Sequence, residues 1–174
     1  MNDRERNVMS TDNIFARRSI RKFVNKEVDT AQMKILLEAG MAAPSGRNLK
    51  PWHFVAITER KTLDLLAEAH PYGKMLFEAT AAILVCGDMT ISPDYWIQDC
   101  SAATENILVA AAGSGLGSVW LGCHPREDRV AAIKKVLNIP GEIGILSLIA
   151  IGHPGEIKEP RTQYEEERVH REKW

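Results

Sequence analysis

The stretch that most restricts this chain is residues 143–151, which read Ile, Gly, Ile, Leu, Ser, Leu, Ile, Ala, Ile. A strand with one wet face alternates apolar and polar side chains. This run does not alternate, so it reads as a strand buried on both faces, and helices must then cover both sides of its sheet. It is far too short to span a bilayer as a helix.

The rest of the chain supplies those helices. Asp29 and Gln32 occupy the positions of a capping box, with Val28 and Met33 at the flanking apolar staple positions. Residues 29–42 therefore read as a helix with Met33, Leu36, Leu37, Gly40 and Met41 on its inner face, stopped by Pro44 and Gly46. Residues 12–17 read as a short helix. Residues 59–69 read as a helix with Leu63, Leu66 and Ala67 inward, and 126–137 as one with Val130, Ile133 and Leu137 inward. Residues 52–57, 80–86 and 118–122 read as strands.

Ser92 as cap and Pro93 in the first turn open a long helix reaching about residue 112. Cys100, Ser101, Ala102, Ala103, Ala110, Ala111 and Ala112 make it small and apolar nearly all round. Such a helix is buried, either in the domain's own core or in a dimer interface.

Composition narrows the function classes. The 174 residues carry a net charge of −1, which gives no basic excess for nucleic acid. The first residues lack the apolar core of a secretion signal, so a cytoplasmic location is expected, with no membrane partner. Cys86, Cys100 and Cys123 are too widely spaced for a zinc site and read as buried, reduced thiols. Residues 1–10 read as a flexible arm, 11–155 as the single domain, and 156–174 as a C-terminal arm.

Four segments can carry chemistry. Arg17, Arg18, Ser19, Ile20 and Arg21 place three guanidiniums and a hydroxyl together, a set suited to phosphate. Residues 44–52 (Pro, Ser, Gly, Arg, Asn, Leu, Lys, Pro, Trp) form a stiff polar loop suited to the edge of a flat heterocycle. Residues 113–122 are glycine-rich but follow a helix and open a strand, which excludes a Rossmann fingerprint, and no Walker lysine closes them. Beyond Gly152, Lys158 and Arg161 are further phosphate partners. No nucleophile elbow or HExxH pattern is present. From the residues alone, the four segments fit a cofactor with a phosphate tail and a flat polar head without naming it, and a solvated basic turn and tail stay open as the plainer reading.

In this order and spacing, the four segments resemble the FMN-dependent nitroreductase family, from Phe15 to the chain end. The resemblance implies an α+β fold with a central, mainly antiparallel sheet wrapped by helices. It implies an intertwined homodimer, with the C-terminal arm on the partner subunit and two FMN sites at the interface. It assigns Arg17, Arg18, Ser19, Arg21 and Arg161 to the phosphate, ribityl chain or pyrimidine edge. Pro44, Ser45 and Asn48 would reach the ring from the partner chain, and Trp120, Leu121 and Gly122 would lie along it. Lys50 stands where many members carry Gln, and Lys50 or Arg21 would favour the anionic reduced flavin. The implied activity is hydride transfer from NADH or NADPH to a small flat acceptor such as a nitroaromatic or quinone. A flavin-binding or storage protein without turnover, or a related reductive dehalogenase, are the alternatives.

Overall fold

The computed structural model describes residues 12–174; the N-terminal arm expected over residues 1–10 lies outside the described residues. The elements run α1 (Asp12–Ala16), α2 (Thr30–Met41), β1 (Trp52–Ile57), α3 (Arg60–Ala69), β2 (Ala81–Asp88), α4 (Trp96–Gly113), β3 (Gly117–Gly122), α5 (Glu127–Leu137) and β4 (Ile143–Gly152). The four strands form one sheet in the order β1-β2-β4-β3, and every pairing among them is antiparallel.

β4 is central and buried from Gly144 onward, which is why its sequence does not alternate. On one face of the sheet, Leu36 of α2 and Ile107 of α4 pack on Ile83, Val85, Ile149 and Ile151. On the other, Leu63 and Leu66 of α3 and Ile133 of α5 pack on Leu84, Leu148 and Ala150. Each fully buried Leu or Ile contributes roughly 1.5–3 kcal/mol relative to exposure. A bulge accommodates Leu146: Val85 pairs with Ser147 and Cys86 with Ile145. Ser147 then faces α4, where its oxygen lies 2.9 Å from the Thr104 hydroxyl. Thr104 donates to the Cys100 carbonyl, so Ser147 is the donor of the pair and both buried hydroxyls are satisfied.

The α2 capping box is present, with Gln32 N–H donating to Asp29 Oδ1 at 2.7 Å and Asp29 N–H to Gln32 Oε1 at 3.2 Å. Met33, Leu36 and Gly40 are buried as expected, but Met41, expected inward, is exposed at the end of the helix. The long helix begins at Trp96, not at Ser92. The Asp88 carboxylate gathers the N–H groups of Thr90 and Ile91 into a turn, and the buried Ser92 hydroxyl faces Asp99 Oδ2 at 3.5 Å instead of capping. Part of the α4 surface (Ser101, Ala102, Glu105, Asn106, Val109 and Ala112) is only half covered by this chain.

Candidate functional site

The site lies along the open edge of β3. Gly115 turns the chain at φ +71°, a conformation that favours glycine. At Gly117 a Cβ would sit 2.7 Å from Ile20 Cγ2, so glycine lets the 17–23 segment lie against the strand. Ile20 N–H donates to the Ser118 carbonyl at 3.0 Å, and Ile20 and Phe23 are buried anchors. The C-terminal stretch runs back beside it: Val24 N–H donates to His153 O at 3.0 Å, Gly155 N–H to Lys22 O at 2.8 Å, and Arg161 N–H to Phe15 O at 2.9 Å.

This brings the first and fourth sequence segments together. Ile14, Arg17, Arg18, Ser19, Arg21, Lys158 and Arg161 line one cleft of about 310 Å³. Lys158 Nζ donates to the Ser19 carbonyl at 2.6 Å and lies 3.2 Å from Glu156. Arg18 donates to the Glu159 carbonyl, and Arg17 Nε lies 2.8 Å from Glu105. Arg21 N–H donates to Glu156 Oε1 at 2.6 Å, which holds the Glu156 carboxyl below the usual range. The guanidiniums of Arg21 and Arg161 form no ion pair among the described residues.

Arg21 also lines a second cleft, of about 560 Å³, with His70, Pro71, Tyr72, Lys74, Met75, Trp120, Leu121, Gly122 and Arg129. The backbone of β3 faces it. Ser118 O points outward to Ile20, and Gly122 O accepts from His70 Nε2 at 3.1 Å and from Arg129 Nη1 at 2.8 Å, both from outside the sheet. By the two-residue period of a strand, the N–H and C=O of Trp120 and the N–H of Gly122 face the same open edge. A Cβ built on Gly122 meets nothing within 4 Å, so space is open beside the strand end. His70, Tyr72, Lys74 and Arg129 were not singled out in the sequence. They come from the end of α3, the turn after it and the start of α5, and no local pattern marks them.

The polar loop does not join these clefts within one chain. Pro44, Ser45, Asn48 and Lys50 lie on a turn fastened to the start of α4. Gly46 N–H donates to Asp99 Oδ1 at 2.8 Å, Lys50 N–H to Ser45 Oγ at 3.0 Å, and the Arg47 guanidinium sits 5.7 Å from the Tyr95 ring centroid. Arg47, Asn48 and Lys50 have φ of 54°, 57° and 51°, left-handed positions that are strained for non-glycine residues.

The sequence profile of the Nitroreductase family matches residues 14–70 and 65–153, most of the chain and all of β1 to β4. The chain belongs to the nitroreductase family. Over 167 residues it is 44% identical to an Archaeoglobus fulgidus protein that carries the provisional name NADH dehydrogenase/NAD(P)H nitroreductase, covering 92% of this chain and 96% of that one. A crystal structure from Bacteroides thetaiotaomicron, provisionally named in the same way, matches with a TM-score of 0.91 at 44% identity, covering 94% of this chain and 96% of that one. A provisionally named nitroreductase from Desulfovibrio desulfuricans, solved in complex with FMN, matches with a TM-score of 0.80 at 30% identity, covering 93% and 95%. The α+β nitroreductase fold and its antiparallel sheet are thus as the sequence implied. None of the described helices is long and apolar enough to cross a membrane.

Proposed function

We propose that this nitroreductase-family chain is a cytoplasmic, homodimeric FMN oxidoreductase that passes hydride from NAD(P)H to a small flat acceptor, such as a nitroaromatic or quinone. One observation carries the reading: Arg21 joins a cationic cleft to a second cleft floored by outward-facing backbone of β3. A phosphate tail and a flat polar head joined by a flexible chain match that pair of clefts. The open volume beside Gly122 leaves room for a ring.

Arg17, Arg18, Ser19 and Arg161, with Lys158, hold the phosphate and ribityl end through guanidinium, ammonium and hydroxyl donors. Arg21 sits where the ribityl chain meets the ring. Trp120, Leu121 and Gly122 lie along the ring, and Trp120 and Gly122 present backbone N–H groups to its edge. Pro44, Ser45, Asn48 and Lys50 complete the site from the second copy. Their strained, fastened loop presents polar groups outward, and the half-covered small-residue surface of α4 gives the second copy a seat. Of the arm expected over residues 156–174 to pack on the partner, Glu156, Lys158 and Arg161 lie against this chain instead, and the exposed remainder packs on that second copy.

When bound, FMN would supply the redox chemistry, the transfer of two electrons between NAD(P)H and the acceptor. The chain's residues bind, orient and supply charge, and Lys50 or Arg21 offsets negative charge at the pyrimidine edge. The test is an absorbance spectrum of protein mixed with FMN and desalted, before and after anaerobic NAD(P)H. A flavin band retained near one per chain and bleached by NAD(P)H is expected. A colourless protein overturns the cofactor, and a yellow protein that NAD(P)H does not bleach overturns the enzyme in favour of a flavin-binding protein.

A further inference from the structure

The larger cleft carries more positive charge than one cofactor phosphate explains. Arg21, Lys74 and Arg129 all line it, and none of its lining residues is Asp or Glu. Arg21 belongs to the junction with the phosphate cleft. Arg129, in the first turn of α5, lines the 560 Å³ cleft and not the phosphate cleft. Its Nη1 is held by the Gly122 carbonyl, and its guanidinium lies 5.3 Å from the ring centroid of Tyr72, which is 67% exposed at the rim. Its Nε is buried with no hydrogen-bond partner. The adjacent Asp128 pairs with Arg126 at 3.3 Å, and Arg129 forms no ion pair among the described residues. A guanidinium fixed in this way, partly desolvated and without a counterion, is set to receive an oxyanion through the N–H groups that remain on Nη1 and Nη2.

We propose that Arg129, stacked on Tyr72, recognises the 2′-phosphate of the reduced dinucleotide, so that the enzyme prefers NADPH to NADH. This rests on the flavin reading above, since the dinucleotide must enter the cleft that holds the ring. NADH and NADPH differ only by that phosphate, so a cation without a counterion in the cleft is what separates them. A carboxylate on the acceptor offers similar chemistry, and the experiment distinguishes the two.

Two measurements decide it on the full chain. The first compares kcat/KM for NADPH and NADH in the FMN-loaded wild type, Arg129→Gln, Arg129→Lys and Tyr72→Leu. The second titrates adenosine 2′,5′-bisphosphate and AMP into the same proteins by calorimetry, and needs no flavin. Roughly tenfold or greater preference for NADPH and for the bisphosphate is expected in the wild type. Arg129→Gln should bring both ratios close to one, Arg129→Lys should keep part of the preference, and Tyr72→Leu should weaken it. Wild-type ratios near one, or ratios that Arg129→Gln leaves unchanged, overturn the proposal. It is also overturned if Arg129→Gln raises KM for 4-nitrobenzoate but not for nitrobenzene while the dinucleotide ratio stays at one. If the protein holds no FMN, the flavin reading fails and the calorimetric ratio alone decides the anion site.

Discussion

His70 and Gly122 are joined by a 3.1 Å hydrogen bond in which the imidazole Nε2–H donates to the backbone carbonyl. The tautomer follows from the other nitrogen, Nδ1, which accepts from Tyr72 N–H at 3.2 Å and so carries no proton. Only the neutral ring makes both bonds. Burial pushes the His70 pKa below its ordinary value; the bond to Gly122 acts against that, Arg129 adds to it and Asp128 opposes it. Below about pH 6.5 the unfolded chain binds this proton more readily than the folded one. His70 therefore contributes stability that is present above that pH and is lost as pH falls through the folded-state pKa. Urea unfolding from about pH 7.5 down to 5 should show a steeper loss for the wild type than for His70→Gln, which keeps a donor but does not titrate. Equal slopes would remove His70 as the source.

Gly122→Val separates binding from folding. Its φ is not left-handed and its Cβ position is open, so a strand-forming residue fits there. Unfolding free energy should change by less than about 1 kcal/mol. FMN retention should fall roughly tenfold or more, because the added methyl groups enter the ring's space. Unchanged flavin affinity would place the ring elsewhere.

Gly144→Ala tests packing at the far end of β4. The new Cβ would lie 2.7 Å from Trp96 Cη2, and Trp96 is buried against the sheet. Overpacking of this kind costs about 1–3 kcal/mol, which urea denaturation should show as a lower midpoint.

The three thiols are expected to be inert while the chain is folded. Cys86, Cys100 and Cys123 are buried, and burial pushes each up to about 12, so almost none is thiolate at neutral pH. A colorimetric thiol reagent should label none of them natively and all three in denaturant. Rapid native labelling would mean that the core opens.

Lys50→Gln addresses charge at the pyrimidine edge. If Lys50 reaches the ring from the second copy, the substitution should lower the flavin reduction potential by roughly 30 mV, the shift that corresponds to about 1.4 kcal/mol in a two-electron couple. If FMN affinity and potential both stay the same, Lys50 has no such role.

Legibility in the sequence followed the range of the interactions involved. The capping box at Asp29 and Gln32 and the doubly buried β4 rest on neighbours in the chain, and both were readable. The start of α4 was not, because Ser92 and Pro93 look like a helix opening while the Asp88 turn takes up those residues. The phosphate-compatible arginines stood out as a cluster, and their convergence with Lys158 and Arg161 is a tertiary event that composition only hinted at. His70, Tyr72 and Arg129 were missed because each is unremarkable alone, and only the meeting of α3 and α5 at the Gly122 carbonyl gives them meaning. The left-handed φ of Arg47, Asn48 and Lys50 was also beyond reach, since none of those three positions is glycine.

β3 is an edge strand, and the 17–23 segment guards only its beginning, through the bridge from Ser19 to Ser118. In its far half the Gly122 carbonyl is covered by His70 and Arg129, while the N–H and C=O of Trp120 and the N–H of Gly122 face the open edge. Free amides of this kind are also what an unrelated chain needs to dock and begin a β-aggregate. Arg21, Lys74 and Arg129 beside this edge thus act as gatekeepers, repelling other copies while drawing anions in. Stripping the ligand should then make the protein precipitate more readily, most of all at salt concentrations that screen those three charges.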